Sequence, residues 1–326
     1  MRRREFVLLG LAVSAAAASR PANAQADYPA RPVRLVIPSV PAGVHDVIGR
    51  LWAERAKTIL GTIVIDNRGG GGGLIGANDV AHAPPDGYSI LLGSTSTQVL
   101  TPAGMANPPY DPVKNFSAAA VFAFSSTSIV VNPKVPAQSL KELIAHAKAN
   151  PGKLSYGSAG NGSITNMAGE LFKRLAGGLD IVHVPYKGIG QGVADLISGQ
   201  IPMFSANATA QILQLHQVGK LRILAVNSET RLKGAGDIPT SIEGGLLGMV
   251  AQTTFGIFVP AGTPNPIVQR LAQVTQQIMA DAGFQQELLR LGFEPMLGVS
   301  GEQATRVFAD ELVRWAPMLK GSGIRN

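Results

Sequence analysis

Cysteine is absent from the 326 residues. That excludes a disulfide framework, a thiol nucleophile and Cys-based zinc or iron–sulfur centres. Charge is scarce as well, with Asp, Glu, Lys and Arg making up 15% of the chain and aromatic residues 6%. The long apolar runs of a multi-span membrane protein are missing. A mean hydropathy of +0.17 is too apolar for a disordered chain. What the sequence does have is length, glycine (38), proline (22) and 45% apolar residues. The length exceeds the roughly 250–300 residues at which one core stops growing, so two domains are expected.

The formal charge of +7 raises nucleic acid or a membrane surface as a partner, but part of it is a targeting feature. Residues 1–24 read as an export signal. Arg2, Arg3 and Arg4 form a basic start, Val7 to Ala18 a short apolar stretch, and Ala22-Asn23-Ala24 a small-x-small cleavage site. Arg3-Arg4-Glu5-Phe6-Val7 also resembles a twin-arginine signal, with Arg2 where Ser or Thr is usual. Both export routes stay open. Without residues 1–24 the chain has 24 basic and 20 acidic residues. Its Lys and Arg are scattered and not interleaved with aromatics, which argues against nucleic acid. A periplasm-like location follows.

Apolar strand patterns alternate with helical ones. Val33–Ile37, Thr62–Ile65 and Ile90–Leu92 are expected strands, with a helix over Asp46–Leu60 between the first two. A second set has strands at Ile129–Val131, Leu154–Tyr156, Ile181–Val184, Ile201–Phe204 and Leu221–Val226. Its helices begin at the Ser139–Glu142 capping box and near Ser163 and Gly188. Phe255–Val259 reads as a further strand, Thr263-Pro264 as an N-cap and first-turn proline, and Ser300–Gln303 as another capping box. The pattern predicts an α/β fold with a parallel sheet covered by helices.

Catalytic and cofactor motifs fare poorly. Gly71-Gly72-Gly73-Leu74-Ile75-Gly76 fits G-x-G-x-x-G, but Leu91 to Thr97 offers no acidic residue for a ribose. The glycines read instead as a loop exposing backbone N–H groups at a helix start, suited to an anion or a tight interdomain turn. No serine is flanked by glycine on both sides of a nucleophile elbow; Ser158 has Gly160 after it but Tyr156 before it. The five histidines are far apart, with no H-x-x-x-H pair for a metal. No cofactor is expected. What remains is a set of Gly/Ser/Thr/Asn-rich loops after apolar strands. They are Pro38–Asp46, Gly93–Thr97, Ser158–Ser163 and Val184–Gly188. Loops at carboxyl strand ends form the ligand crevice of α/β sheets, and neutral donors at helix starts can hold a carboxylate.

In their order these segments resemble the Bug-type extracytoplasmic solute receptors, the binding components associated with tripartite tricarboxylate transporters. The resemblance runs from about Tyr28 to Ile324 and rests on Tyr28-Pro29-x-x-Pro32, Asn67-Arg68, Pro85-Asp86-Gly87-Tyr88, Tyr110–Lys114, Ser158–Ser163, Val184–Gly188, Gly199-Gln200, Pro260–Pro264 and Trp315. It implies a two-lobed periplasmic-binding-protein (Venus flytrap) fold with crossing hinge strands. Lobe 1 would comprise 25–122 and 254–326, and lobe 2 would comprise 123–253. It further implies a non-enzymatic receptor, expected as a monomer, that captures a small organic carboxylate and delivers it to membrane permease subunits.

Candidate ligand-binding residues are Ala42, Gly43, His45, Asp46, Ser94, Thr97, Ser158, Asn161, Gly162, Ser163 and Tyr186, with Asp46 expected to cap its helix and Tyr186 and Lys187 to rim lobe 2. The first loop departs from the family's Pro-Phe-x-x-Gly-Gly-x-x-Asp: Ser39 replaces the aromatic, Ala42 a glycine, and His45 a small residue. Asn166 stands where His is frequent and Pro202 where Asp is common. A further donor at His45, with room at Ser39 for a larger or aromatic carboxylate, is one reading; His45 pointing outward is the other. A periplasmic hydrolase using the same cleft, and a sensor for a membrane signalling protein, are the alternative functions.

Overall fold

The computed structural model describes residues 28–319; the export-signal expectation for 1–24 lies outside them. One half contains β1 (Val33–Ile37), α1 (Val44–Leu60), β2 (Ile63–Asn67), α2 (Leu74–Ala81) and β3 (Ser89–Ser94). A π-helical turn (Ser96–Leu100) then runs into α3 (Thr101–Ala103). β4 (Phe116–Val131) leads out of this half. The other half contains α4 (Leu140–Ala149), β5 (Leu154–Ser158), α5 (Ile164–Leu175), β6 (Ile181–Pro185), α6 (Ile189–Ser198), β7 (Met203–Asn207), α7 (Ala210–Gln217) and β8 (Arg222–Val226). β9 (Gln252–Pro260) returns, followed by α8 (Asn265–Met279), α9 (Ala282–Arg290), β10 (Glu294–Ser300) and α10 (Gly301–Leu319).

The strands form a mixed sheet in the order β2-β1-β3-β9-β4-β7-β5-β6, with β8 and β10 also pairing with β4. β1 pairs in parallel with β2 and β3, and β5 with β6 and β7, whereas the pairings made by β4 and β9 are antiparallel. β4 joins the two lobes: residues 116–126 pair with β9, and 127–131 pair with β7 and β8. Ile129–Val131, expected as a short strand, is thus the end of a 16-residue one. Its Ala/Ser-rich first part carries little β propensity, but it is buried on both faces, and position in the sheet overrides propensity.

Periodicity explains most helices. α1 buries Ile48, Trp52, Ala56 and Leu60 on one stripe, and Trp52 Nε1 donates to Thr275 Oγ1 of α8 at 3.2 Å. Ser139 caps α4 as expected: its Oγ accepts from Glu142 N at 3.2 Å, and the Glu142 carboxylate accepts from Gln138 N at 2.8 Å. Other boundaries shift. β7 begins at Met203 rather than Ile201, and α8 begins at Asn265 with Pro264 in the cap position. Thr263 does not cap α8; its hydroxyl donates to the Pro260 carbonyl.

At the crossover the sheet is polar rather than apolar. Thr127 Oγ1 donates to Ala251 O at 2.8 Å and accepts from Asn227 Nδ2 at 2.8 Å. Asn207 Nδ2 donates to Thr253 Oγ1 at 3.0 Å. These buried side chains satisfy one another and fix the register of the crossing strands without a large apolar contact.

Candidate ligand-binding site

The loops after β1 and β3 meet through His45 and Ser94, and those after β5 and β6 through Ser158 and Tyr186. In lobe 1 the Pro38–Gly43 loop is organised by Asp46, which sits in the first turn of α1. Its carboxylate accepts from Ala42 N at 2.8 Å, Asn67 Nδ2 at 2.8 Å and Arg50 Nε at 2.9 Å. Burial opposes the charge, but hydrogen bonds from Arg50, Ala42 and Asn67 prevail and hold the carboxyl below its ordinary range. Ala42 adopts a φ of 62°, a left-handed conformation that this bond helps sustain. Asp46 therefore shapes the loop, with its oxygens already occupied. Asp46→Ala should leave Ala42 N and Asn67 unpaired and cost about 2–3 kcal/mol. Urea unfolding checks this: an unchanged midpoint would show that the loop holds without it. The depressed pKa adds a sign. The stability Asp46 confers is present above the ordinary carboxyl range and is lost as pH falls through the lowered value.

His45 is half-buried, with its ring turned inward. Its Nε2 is 2.8 Å from Ser94 Oγ, at the end of β3, and its ring packs edge-on against Phe255 with centroids 5.2 Å apart. Burial lowers the imidazole pKa from 6.5 to about 4, so it is neutral at pH 7. The outward-pointing alternative for His45 is thereby corrected. Ser94 is fully buried, and the turn behind it is closed by Thr97: Ser94 N donates to Thr97 Oγ1 at 2.9 Å. Tyr110 OH donates to Thr97 O at 2.6 Å.

Lobe 2 repeats the motif. Ser158, at the end of β5, is 2.7 Å from His183 Nε2 on the adjacent β6. β5 and β6 are in parallel register, with Tyr156 opposite His183, and the two rings stack at 4.8 Å. Behind them Tyr156 OH donates to Glu170 Oε1 at 2.7 Å and accepts from Asn166 Nδ2 at 3.0 Å; Lys173 Nζ is 3.1 Å from Glu170. Burial holds the His183 pKa below its ordinary value, with Glu170 and Lys173 acting in opposite directions. His183 was not anticipated as a site residue. The signal that could have found it is the parallel pairing of two consecutive strands, which sets residue 183 beside 156–158.

The Ser158–Ser163 segment is built largely from its own hydrogen bonds. Gly160 N donates to Ser158 Oγ, Gly162 N to Asn166 Oδ1 and Ala159 N to Thr165 Oγ1. Ser163 caps α5, its Oγ accepting from Asn166 N and donating to Gly160 O. The side chains of Ser158 and Ser163 and the N–H of Gly162 are thus engaged within lobe 2. Tyr186 bonds Asp195 through its hydroxyl at 2.9 Å, and its N–H donates to Ser158 O; Lys187 is exposed beside it. Asn161 reaches lobe 1: a β-carbon on Gly72 would sit 3.9 Å from the Asn161 carbonyl oxygen. The glycine loop and the Ser158–Ser163 loop therefore meet across the cleft, and Thr101 Oγ1 donates to Gly72 O from below.

Neither Ser–His pair is a hydrolase dyad. Each serine is committed to its histidine within its own lobe, and the His183 ring also faces the Asn166 amide. Among the described residues no group of three His, Cys, Asp or Glu could hold a metal, and no helix is long and apolar enough to cross a membrane.

The chain and its fold have counterparts among known proteins. Residues 48–324 match the family of tripartite tricarboxylate transporter family receptors. BugT of Bordetella pertussis is 31% identical over 99% of this chain and 98% of its own. Among solved structures, R. palustris Rpa4515 with adipate has a TM-score of 0.85 at 32% identity, covering 90% of this chain and 98% of that one. MatC from Rhodopseudomonas palustris with bound malate has a TM-score of 0.82 at 26% identity, covering 90% of this chain and 100% of that one. Two lobes, crossing strands, paired strand-end loops and a match over most of the chain lead to one assignment: the chain belongs to the tripartite tricarboxylate transporter family of solute-binding receptors.

Proposed function

We propose that the protein captures a small organic carboxylate between its lobes and delivers it to the permease subunits of a tripartite tricarboxylate-type transporter. The observation that carries this reading is the character of the strand-end loops. Each lobe ends a buried strand with a Ser–His pair, both imidazoles are held neutral, and α1 starts at Gly43 without a side-chain cap. Such a lining binds an anion through dipoles and hydrogen bonds without a salt bridge. Adipate and malate, bound in the two relatives, are the natural probes.

The lobe division, with 25–122 and 254–326 on one side and 123–253 on the other, belongs to this proposal, as do export with cleavage near Ala24 and a monomeric state. On that division the charge is uneven. Residues 123–253 hold eleven basic against seven acidic residues, while the rest of the chain after residue 24 holds thirteen of each. Lobe 2 would thus draw anions toward the cleft, an effect weakened by salt. Ala42, Gly43, His45 and Ser94 would form the lobe 1 wall, with Thr97 bracing it, and Ser158, Asn161, Gly162, Ser163 and Tyr186 the lobe 2 wall.

A thermal-shift screen with adipate, malate and aromatic carboxylates tests the reading. At one hundred times its Kd a ligand should add about 2.7 kcal/mol of stability, raising Tm by roughly 5–10 °C. No shift with any carboxylate would sink the proposal.

A further inference from the structure

The C-terminal helix has a carboxyl where its packing stripe calls for an apolar side chain. α10 buries Ala304, Phe308, Glu311 and Trp315 along one face, and Glu311 is only 8% exposed. Its Oε1 accepts from Thr254 Oγ1 at 2.6 Å. Thr254 N in turn donates to Thr95 Oγ1 at 2.9 Å. One carboxyl thereby ties α10 to the crossing strand β9, and Thr254 carries the connection on to Thr95, the first residue after Ser94.

Three further polar atoms lie in the same layer. Glu311 Oε2 and both amide atoms of Gln98 are buried without a protein partner. The Gln98 Nε2 atom is 3.2 Å from where a β-carbon on Gly93 would stand, a position that also abuts the Phe258 ring. Phe258 in turn packs on Phe308 at 5.1 Å, one turn before Glu311. Gln98 and Glu311 therefore face the space between the sheet and α10, behind the loop that presents Ser94 and Thr97.

Among the described residues no ion pair reaches this carboxyl. β4, β9, the π-helical turn and α3 contain no titratable residue. β10 contributes Glu294, whose carboxylate accepts from Lys233 N. Tyr110 OH is committed to Thr97 O. On α10 itself, Asp310 and Arg314 are exposed. Burial raises the Glu311 pKa, and the Thr254 bond, with the Thr95 hydroxyl nearby and Arg314 at a distance, offsets this only in part. A protonated carboxyl offers one donor beside its acceptor capacity, which suits a layer where two threonines approach it and a glutamine oxygen lacks a donor.

We propose that Glu311 is a positioning residue for ligand binding, fastening the Thr95–Gln98 turn to β9 and α10 so that Ser94 and Thr97 are held where the ligand is met. The carboxyl does this in its neutral form. The inference rests on the reading of the β3 loop as part of the ligand site, so its test includes a readout without ligand.

Wild type, Glu311→Gln and Glu311→Leu are compared by amide hydrogen exchange and by calorimetric titration with adipate. In Glu311→Leu, exchange at 94–98 should accelerate at least tenfold while β5–β7 is unchanged, and adipate affinity should fall about tenfold. Glu311→Gln, a neutral isostere, should restore both. Raising pH should lower the protection of 94–98, taken relative to the intrinsic exchange rate, in wild type as the carboxyl ionises, and leave that protection unchanged in Glu311→Gln. Wild-type exchange in Glu311→Leu would overturn the proposal, and so would equal loss in the Gln and Leu variants. If adipate fails to bind wild type, the ligand reading for that probe fails, and hydrogen exchange still judges the role of Glu311.

Discussion

Gly292→Ala is expected to lower stability by about 3–4 kcal/mol, the sum of a left-handed backbone penalty and an overpacking cost. Gly292 lies between α9 and β10 with a φ of 84°. A methyl group there would run into the Ala208 carbonyl oxygen and lie 2.7 Å from Thr209 Cα. Both neighbours are backbone, so no rotamer change relieves the clash. The same loop is tied to the other side by Ala210 N donating to Leu291 O at 3.1 Å and Ser125 Oγ donating to Gly292 O at 3.1 Å. The glycine therefore sets how closely the α9–β10 turn approaches the start of α7, across the junction of the lobes. Thermal unfolding should show a fall of roughly 10 °C in Tm. Gly178→Ala is the matched control. Its φ is 79° with nothing within 4 Å of the added carbon, so it should pay the conformational cost alone, about 1 kcal/mol. Equal losses in the two variants would show that the close approach at residue 292 does not matter.

The parts of this structure that were legible in the sequence are those fixed by local pattern. β1, α1, α4 and α5 announce themselves through β-branched runs, apolar spacing and the Ser139 and Ser163 caps, and the structure has them within a few residues. β4 was mostly illegible because Ala118, Ala119, Ala120 and Ala123 carry helical rather than strand propensity; pairing with β9 along one edge makes them a strand. β10 was missed for a related reason. It contains Pro295 and Gly298, and its register on β4 shifts between Pro295 and Val299, a bulged pairing with no local signature. Within the site, loop chemistry pointed to Ser94 and Ser158, yet their histidine partners arrive over 49 and 25 residues of separation. Sheet register brings His183 to Ser158, and the placement of α1 beside the end of β3 brings His45 to Ser94. Glu311 was invisible for the same reason. On a helix otherwise spaced for burial it looks like a surface residue, and only the fold turns it toward Thr254.

Ligand affinity should rise about tenfold between pH 8 and pH 5.5, while the ligand-free protein loses stability over the same interval. His45 is the cause of both. Folded, its pKa is about 4 against an ordinary 6.5, so between those values the unfolded chain binds a proton that the native state refuses. Stability is therefore complete above pH 6.5 and declines as pH falls toward 4, by about 1.4 kcal/mol at pH 5.5. An anion beside His45 reverses the preference, because it favours the imidazolium. If the ligand restores the pKa only to its ordinary value, it recovers that same 1.4 kcal/mol, which is a factor of about ten in Kd. Proton uptake on binding, measured by calorimetry in buffers of different ionisation enthalpy, should peak between pH 5 and 6. His45→Gln keeps a hydrogen-bonding side chain near Ser94 but removes the titration. It shares the ligand's own ionisation with wild type, so the difference between their pH profiles isolates His45. The slope left in the variant combines the ligand's own ionisation with that of His183, whose pKa is shifted in the same direction. Parallel profiles for wild type and His45→Gln would mean that the ligand never approaches the first loop closely enough to charge its histidine.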